Sequence, residues 1–416
     1  MNPLIKKNFK ILSESKFVIF FTLTERIFFF LIFIIIARKY PVDIYGEMVT
    51  VFSAANIFII LFDLGLPVLL QKETAVLKER SSGFLSSVIL INLIFFPLFI
   101  SAMLIFCAMF FPDISIEMIT VISLTVYFFS IGNILNKSLS GLGDFKSQFT
   151  SLFCSRIITL IFFLSAVYFF NSGLNALLMI LAAGALIQLF SLFKEIGKYK
   201  LRIRFNKSGR PAIGSLIKLS LPLGLAVIFN FLYDKIDIVL ISKITDFDQT
   251  AYYNAAYGIL RASTAAFAFL FAAGLTRVSG LSRNKTAVRL FFKKYSVILF
   301  QISIILTIII FFGADLIIKI LYTDKFEEAV PVLKILSVAL TGLALNNLTG
   351  IILNGMGFFK KNMNVTLIGL IINVILNIIL IPEYGIAAAA AVTVITEYFI
   401  LFGDYYYIRK FLNEDL

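Results

Sequence analysis

The amino-acid sequence predicts an all-α integral membrane protein, with about twelve transmembrane helices in two six-helix lobes. Three observations predict it. Of 416 residues, 60% are hydrophobic and 15% charged, more apolar surface than a soluble domain hides. The apolar residues fall in runs of about 20, the length that crosses a roughly 30 Å hydrocarbon core as helix. The first half also echoes in the second.

The expected spans lie near 17–37, 48–70, 84–111, 114–136, 148–170, 173–193, 213–242, 250–275, 292–313, 329–356, 362–382 and 385–407. Helices are required because lipid cannot hydrogen-bond exposed backbone, and the strict alternation of a membrane barrel is absent. The first run reads as a span rather than a cleaved signal peptide. It lacks an A-x-A-like exit and leads into further spans. The connections are short, the longest near 194–212, and the largest on the outer side near 314–328.

Lys and Arg set the expected orientation. Twenty-six lie on the side of the N-terminal arm, from Lys6, Lys7, Lys10 and Lys16 through Lys72, Lys137, Lys146, Arg202, Arg204 and Arg277 to Arg409 and Lys410. Six lie opposite: Arg38, Lys39, Lys243, Lys319, Lys325 and Lys334. Both termini are therefore expected in the cytoplasm. This bias accounts for most of the +13 net charge, so no nucleic-acid partner is expected.

The echo is Leu139-Ser-Gly-Leu-Gly-Asp-Phe-Lys146, which returns 214 residues on (139 to 353) as Leu353-Asn-Gly-Met-Gly-Phe-Phe-Lys360. A left-handed glycine cap explains each copy but not their kinship. Two further anchors share an offset of 209: Glu25-Arg26-Ile27 with Asp234-Lys235-Ile236, and Gly65-Leu66 with Gly274-Leu275. Two homologous halves follow, 1–200 and 201–416. An even number of helices in each puts the relating axis along the membrane normal, with a substrate path between the halves.

Charges inside the spans mark candidate function. Each costs about 2.5–3.5 kcal/mol at mid-membrane on the insertion scale and normally faces protein or a watery cavity. They are Glu25 and Arg26, Arg156, Asp234, Lys235 and Asp237, Arg261, and Glu397. Neighbours on a helix point about 100° apart, so Glu25 and Arg26 are expected to find partners elsewhere. The acid–base pairs of the two halves are the candidates to face each other. Asp234 and Asp237 share a helix face and suit a proton or cation.

Other features read as structural. Pro97 and Pro222 should kink their spans. The run from Gly385 to Ala391 lets its helix approach a neighbour closely. Cys107 and Cys154 form no CxxC and read as buried thiols. The chain has no histidine, which removes His triads, His metal sites and His proton relays. No P-loop motif is present, and no cofactor is expected.

The stretch Ala37-Arg-Lys-Tyr-Pro-Val-Asp-Ile-Tyr-Gly46 with Phe62-Asp-Leu-Gly-Leu66 resembles the start of polysaccharide flippases of the multidrug/oligosaccharidyl-lipid/polysaccharide exporter superfamily. Leu221-Pro-Leu223, Asp234-Lys-Ile-Asp237, Ala251-Tyr-Tyr-Asn-Ala-Ala-Tyr257 and Tyr384-Gly-Ile-Ala-Ala-Ala, with Glu397 beyond, follow that family's order. Twelve spans resemble the O-antigen repeat-unit flippases (Wzx type) more than the lipid II flippases. The resemblance implies a non-enzymatic transporter of the bacterial inner membrane that moves undecaprenyl-diphosphate-linked oligosaccharide by alternating access. Membrane lipids and the polysaccharide polymerase machinery are the other partners it suggests. Such a cargo needs cations for its diphosphate, and Arg26, Lys235, Arg261 and Arg156 are the candidates. Glu25, Asp234, Asp237 and Glu397 would balance them or couple to ions. Two alternatives stay open: a drug/cation antiporter of the same superfamily, and a membrane-embedded polymerase or glycosyltransferase.

Overall fold

The computed structural model describes residues 3–201, 203, 211–267 and 284–413. Among these residues the architecture is helical throughout, in twelve α-helices. They are α1 (Pro3–Lys39), α2 (Val42–Asp63), α3 (Leu66–Leu77), α4 (Ser82–Phe110), α5 (Ile116–Leu142) and α6 (Phe145–Tyr168). Then come α7 (Leu174–Lys198), α8 (Ile213–Ile244), α9 (Phe247–Ser263), α10 (Lys285–Tyr322), α11 (Ala329–Gly355) and α12 (Phe359–Asn413). Ten of these are long and apolar enough to cross a membrane. The 55-residue α12 is broken at Gly385, whose φ of 59° is left-handed, and carries both of the last two expected spans. The eighth span begins as α9. Its second part, with Gly274-Leu275, Arg277 and Arg283, lies outside the described residues, as do Arg202, Arg204, Lys207 and Arg210 and the side chains of Lys6, Lys7 and Lys10.

The chain divides into two compact units that interleave along the sequence. Unit 1 is Met1–Ile32 with Val51–Phe231, and unit 2 is Phe33–Thr50 with Leu232–Leu416.

Unit 1 is built around a core of Leu66, Leu70, Leu85, Val88, Leu135, Leu139, Leu192 and Leu216. The expected second span, 48–70, is two helices. Asp63 ends α2, and Leu64 (φ 49°) and Gly65 (φ 75°) turn the chain into α3. The turn has a packing cause besides its backbone. A Cβ on Gly65 would lie 2.4 Å from the Gly224 Cα of α8, and a Cβ on Gly224 would lie 2.6 Å from the Leu64 carbonyl carbon. Only two glycines permit this crossing. Pro97 and Pro222 sit inside α4 and α8 without ending them. Lys137 and Lys146, expected in connections, lie on α5 and α6 instead. Helix α7 also continues to Lys198, into the expected loop.

In unit 2 the expected outer connection near 314–328 is mostly helix. Helix α10 runs 38 residues to Tyr322, leaving a short turn before α11. Asp324 in that turn meets Lys319 at 3.0 Å on the surface.

The repeated octet has one geometry in both copies. Gly143 (φ 79°) and Gly357 (φ 86°) are left-handed. The Asp144 amide donates to the Leu139 carbonyl at 3.0 Å, and the Phe358 amide to the Leu353 carbonyl at 2.8 Å. Gly143 donates to Ser140 and Gly357 to Asn354. Each is a Schellman closure, which satisfies carbonyls that a helix end otherwise orphans.

Candidate functional site

Unit 1 gathers its polar side chains around a cavity of about 400 Å³, lined by Glu25, Asp63, Ser130, Asn136, Lys137, Arg156 and Gln188, with Phe21, Phe129 and Phe231 as apolar wall. Helix α1 delivers Glu25, and α6 delivers Arg156. The Arg156 Nε and Nη2 donate to the two Glu25 oxygens, each at 3.0 Å. This fork-to-fork geometry is the strong form of the pair. The guanidinium carbon also lies 4.9 Å from the Phe28 and Phe129 ring centres and 5.5 Å from that of Phe29. Delocalised and weakly hydrated, an arginine tolerates such an aromatic setting better than a lysine. Its side chain is 3% exposed and that of Glu25 35%. The cation is thus sunk in protein and the carboxylate is the accessible partner. Arg26, the next residue, is exposed on α1.

Asp63 closes α2, is buried, and accepts from the Ser130 hydroxyl at 2.9 Å. Lys137 lines the same cavity, and among the described residues no acid lies within ion-pair reach of it. Sequence reasoning singled out neither for a site. Asp63 was legible as an acid ending an apolar span just before a glycine. Lys137 was hidden because a lysine near a span end reads as interfacial charge.

Unit 2 holds the other candidates. On α8, Asp234 meets the Arg261 Nη2 of α9 at 2.8 Å and the Lys235 ammonium at 3.1 Å. Lys235 is its immediate neighbour, so the rule that adjacent helical residues point apart does not hold here. The flexible lysine stem curls back to the carboxylate. Tyr257 adds its hydroxyl to Asp234 at 2.9 Å, and Arg261 lies 5.9 Å from that ring's centre. In this cluster Asp234 is 17% exposed, Arg261 43% and Lys235 29%. The order of exposure is the reverse of unit 1: the acid is the less exposed partner and the cations the more exposed ones.

One turn on, Asp237 is 5% exposed and keeps different company. It accepts from Tyr253 at 2.9 Å, Asn377 at 2.9 Å and Thr393 at 3.0 Å. Asn373 holds Asn377 through its side-chain oxygen at 3.1 Å, and the Asn377 oxygen is buried without a partner. Asp234 and Asp237 therefore do not form one carboxylate pair. Asp234 belongs to an ion cluster, and Asp237 to a cage of neutral oxygen and amide groups. Four residues apart on α9, Tyr253 and Tyr257 stack at 5.8 Å and serve one aspartate each. That Tyr-x-x-x-Tyr spacing against Asp-x-x-Asp was the available signal for them.

Glu397, on the second part of α12, is also buried. It accepts from the Asn346 amide at 2.6 Å. A Cβ on Gly342 would lie 3.1 Å from the Glu397 Cβ, so α11 passes close because that residue is glycine. Nearby, the Tyr233 and Thr396 hydroxyls meet at 3.0 Å. Among the described residues no three acids, cysteines or histidines cluster as a polyvalent metal site would need.

The profile of the polysaccharide biosynthesis protein family matches residues 12–276, and that of the MatE family residues 222–379. An uncharacterized membrane protein of Methanocaldococcus jannaschii is 33% identical over 109 residues, 26% of this chain and about a fifth (22%) of that protein. Among solved structures, the lipid II flippase MurJ in an inward closed conformation superposes with a TM-score of 0.76 at 18% identity, covering 94% of this chain and 87% of that one. An inward-facing multidrug resistance MATE transporter gives 0.73 at 13%, with 98% of both chains covered. A transporter from Pyrococcus furiosus, described as having a binding pocket of reverse polarity that suggests a different function, gives 0.68 at 13%, covering 97% and 95%. These three solved structures are of a flippase and two transporters. With a family match over more than half its length, and with the fold of the MurJ and MATE structures, this multi-pass membrane protein belongs to the polysaccharide biosynthesis protein family.

Proposed function

We propose that this chain moves an oligosaccharide carried on undecaprenyl diphosphate, an O-antigen-type repeat unit, across a bacterial inner membrane. One observation carries the reading. In unit 2 the acid is the least exposed member of the ion cluster, and Arg261 and Lys235 are more exposed than it is, which suits a diphosphate between two cations. The unit 1 cavity, with its carboxylates, amides and the ammonium of Lys137, suits sugar hydroxyls. The remaining expectations join this proposal: both termini in the cytoplasm, lobes 1–200 and 201–416 that alternate access, Arg26 as a further cation, and supply to a polymerase. Asp237, whose partners among the described residues are all neutral, is the group we assign to coupling, binding a proton or a monovalent cation among the oxygens of Thr393, Asn373 and Asn377. Glu397 balances charge.

The test is leaflet access in proteoliposomes carrying the lipid-linked oligosaccharide, read by an impermeant sugar-modifying reagent. The protected half should become reachable with the intact protein, and more than tenfold more slowly with Arg261→Ala or Lys235→Ala. Equal rates for intact protein and both variants, at equal protein levels, would remove the diphosphate assignment.

The MatE match over α8–α12 and the accessible Glu25 carboxylate favour a second reading, a cation antiporter. Efflux of an organic cation against a proton or sodium gradient, abolished by Glu25→Gln, would support it over the first.

A further inference from the structure

The N-terminal turns of α10 and the C-terminal turns of α12, with Leu345 and Thr349 of α11, form a second cavity within unit 2 that shares no lining residue with the ion cluster. It measures about 510 Å³, and its lining includes Arg289, Lys293 and Arg409 with Phe292, Phe402 and Tyr405. Among the described residues no carboxylate lines it. Arg289 ties the two helix ends together. Its Nη2 donates to the Leu412 carbonyl at 2.6 Å and to the Asn413 side chain at 3.2 Å. Lys293 and Arg409 are exposed, and among the described residues neither has an ion-pair partner.

Position matters as much as charge. Helix α10 has 38 residues, about 57 Å at 1.5 Å per residue, against a hydrocarbon core of roughly 30 Å. The helix therefore outruns the core, and its first turns, with Lys285, Arg289, Lys293 and Lys294, suit the headgroup layer. From the cations, apolar side chains lead along the same two helices toward mid-membrane. Val297 and Phe300 on α10 are each 50% exposed, and Phe402 on α12 is 67% exposed. A cationic cup at headgroup depth with an apolar track below it matches an amphiphile that has an anionic head and long tails. The converged guanidinium and ammonium groups match a phosphate. A soluble anion would leave the track unused, and a basic protein partner would be repelled by the cup.

We propose that this cavity binds an anionic glycerophospholipid of the surrounding bilayer, its phosphate held by Lys293 and Arg409 and its acyl chains lying against Val297, Phe300 and Phe402. The site is separate from the one proposed for cargo.

Native mass spectrometry of the delipidated full-length protein tests it, with phosphatidylglycerol and phosphatidylcholine of the same acyl chains as probes. The intact protein should retain one phosphatidylglycerol with at least tenfold preference over phosphatidylcholine. The variant Lys293→Gln/Arg409→Gln should lose that preference. Lys319→Gln, an equal type of charge change at the other end of α10, should keep it. Both substituted side chains of the double variant are exposed, and Arg289 is left in place to hold the helix ends, so an unchanged melting temperature accompanies the loss. Three results would overturn the proposal: an undiminished preference in the double variant, displacement of the lipid by inorganic phosphate at equal concentration, or a dimer that forms through this face and excludes the lipid. Retention of undecaprenyl phosphate in place of phosphatidylglycerol would also overturn it, in favour of a second seat for cargo.

Discussion

Each unit holds an intramembrane acid–base cluster, and the two are built inside out from one another. In unit 1, Arg156 is sunk beneath Phe28, Phe29 and Phe129 and Glu25 is the accessible partner. In unit 2, Asp234 is the less exposed partner and Arg261 the more exposed one. The chemical inventory is nearly the same, so composition alone cannot say which charge a ligand would meet. Burial decides it. A buried charge with its partner in place is occupied by the fold, and the partner left at the surface is the one with coordination to spare.

The largest expected effect lies in unit 1. Arg156→Ala should destabilise the protein by about 3 kcal/mol, because the cut empties the packed space beneath three rings and removes the two-pronged partner of Glu25. Denaturant unfolding in detergent measures it. Arg261→Ala should barely move stability and should slow transport more than tenfold. If the two variants exchange these signatures, the contrast is broken.

Next comes the contrast within α8. Asp237→Asn keeps shape and removes charge, so transport should persist but lose its response to an imposed ion gradient. Asp234→Asn frees Arg261 and Lys235 from their common partner and should lower transport at every gradient. A flux assay with and without the gradient separates them.

Smaller effects follow from the tyrosines. Tyr253→Phe should cost about 1 kcal/mol, the net value of one hydrogen bond, because the partners of Asp237 among the described residues are all neutral. Tyr257→Phe should cost less, since Arg261 and Lys235 still hold Asp234. Unfolding free energies of the two variants make the comparison.

The smallest effect separates the two octets. Asp144 caps α6 by accepting from the Ser147 amide at 3.0 Å and from the Tyr199 hydroxyl at 2.7 Å. Burial pushes its carboxyl up, but the Ser147 amide, the Tyr199 hydroxyl and the Lys198 charge outweigh that and hold it below the usual carboxylate range. A depressed folded value means this stability is present above the unfolded value of about 4 and is lost as pH falls through the folded one. Phe358 occupies the same place in the second copy and has nothing to titrate. Asp144→Asn should therefore flatten the acid limb of unit 1 stability, read from unfolding between neutral and acid pH, and Phe358→Leu should leave it unchanged.

Much of this was legible in the chain. Apolar run length placed the helices, and the octet placed two identical closures on its glycines. Intramembrane charge marks Glu25, Arg26, Arg156, Asp234, Lys235, Asp237, Arg261 and Glu397 in the sequence. What stayed hidden was pairing and depth. Glu25 meets Arg156 across 131 residues of chain, a distance no local pattern encodes. The break at Leu64–Gly65 was hidden because apolar residues continue on both sides of it. Its cause is the backbone of α8, far along the sequence. The tyrosines that hold the two aspartates were masked by a composition in which aromatic residues are everywhere.

The Glu25–Arg156 pair also bears on how the protein is made. A ribosome adding about 5–20 residues per second delivers Arg156 roughly ten seconds after Glu25. Through that interval α1 waits in or beside the membrane with its carboxylate lacking this partner, and then α6 must bring in an arginine that is itself costly to insert. Each charge makes the other's membrane entry tolerable, so α6 is the step at which the first helix becomes committed. Asp234 faces no such delay, because Lys235 is the very next residue synthesised. The two units thus differ in time as well as in space: one completes its ion cluster late and the other begins it at once.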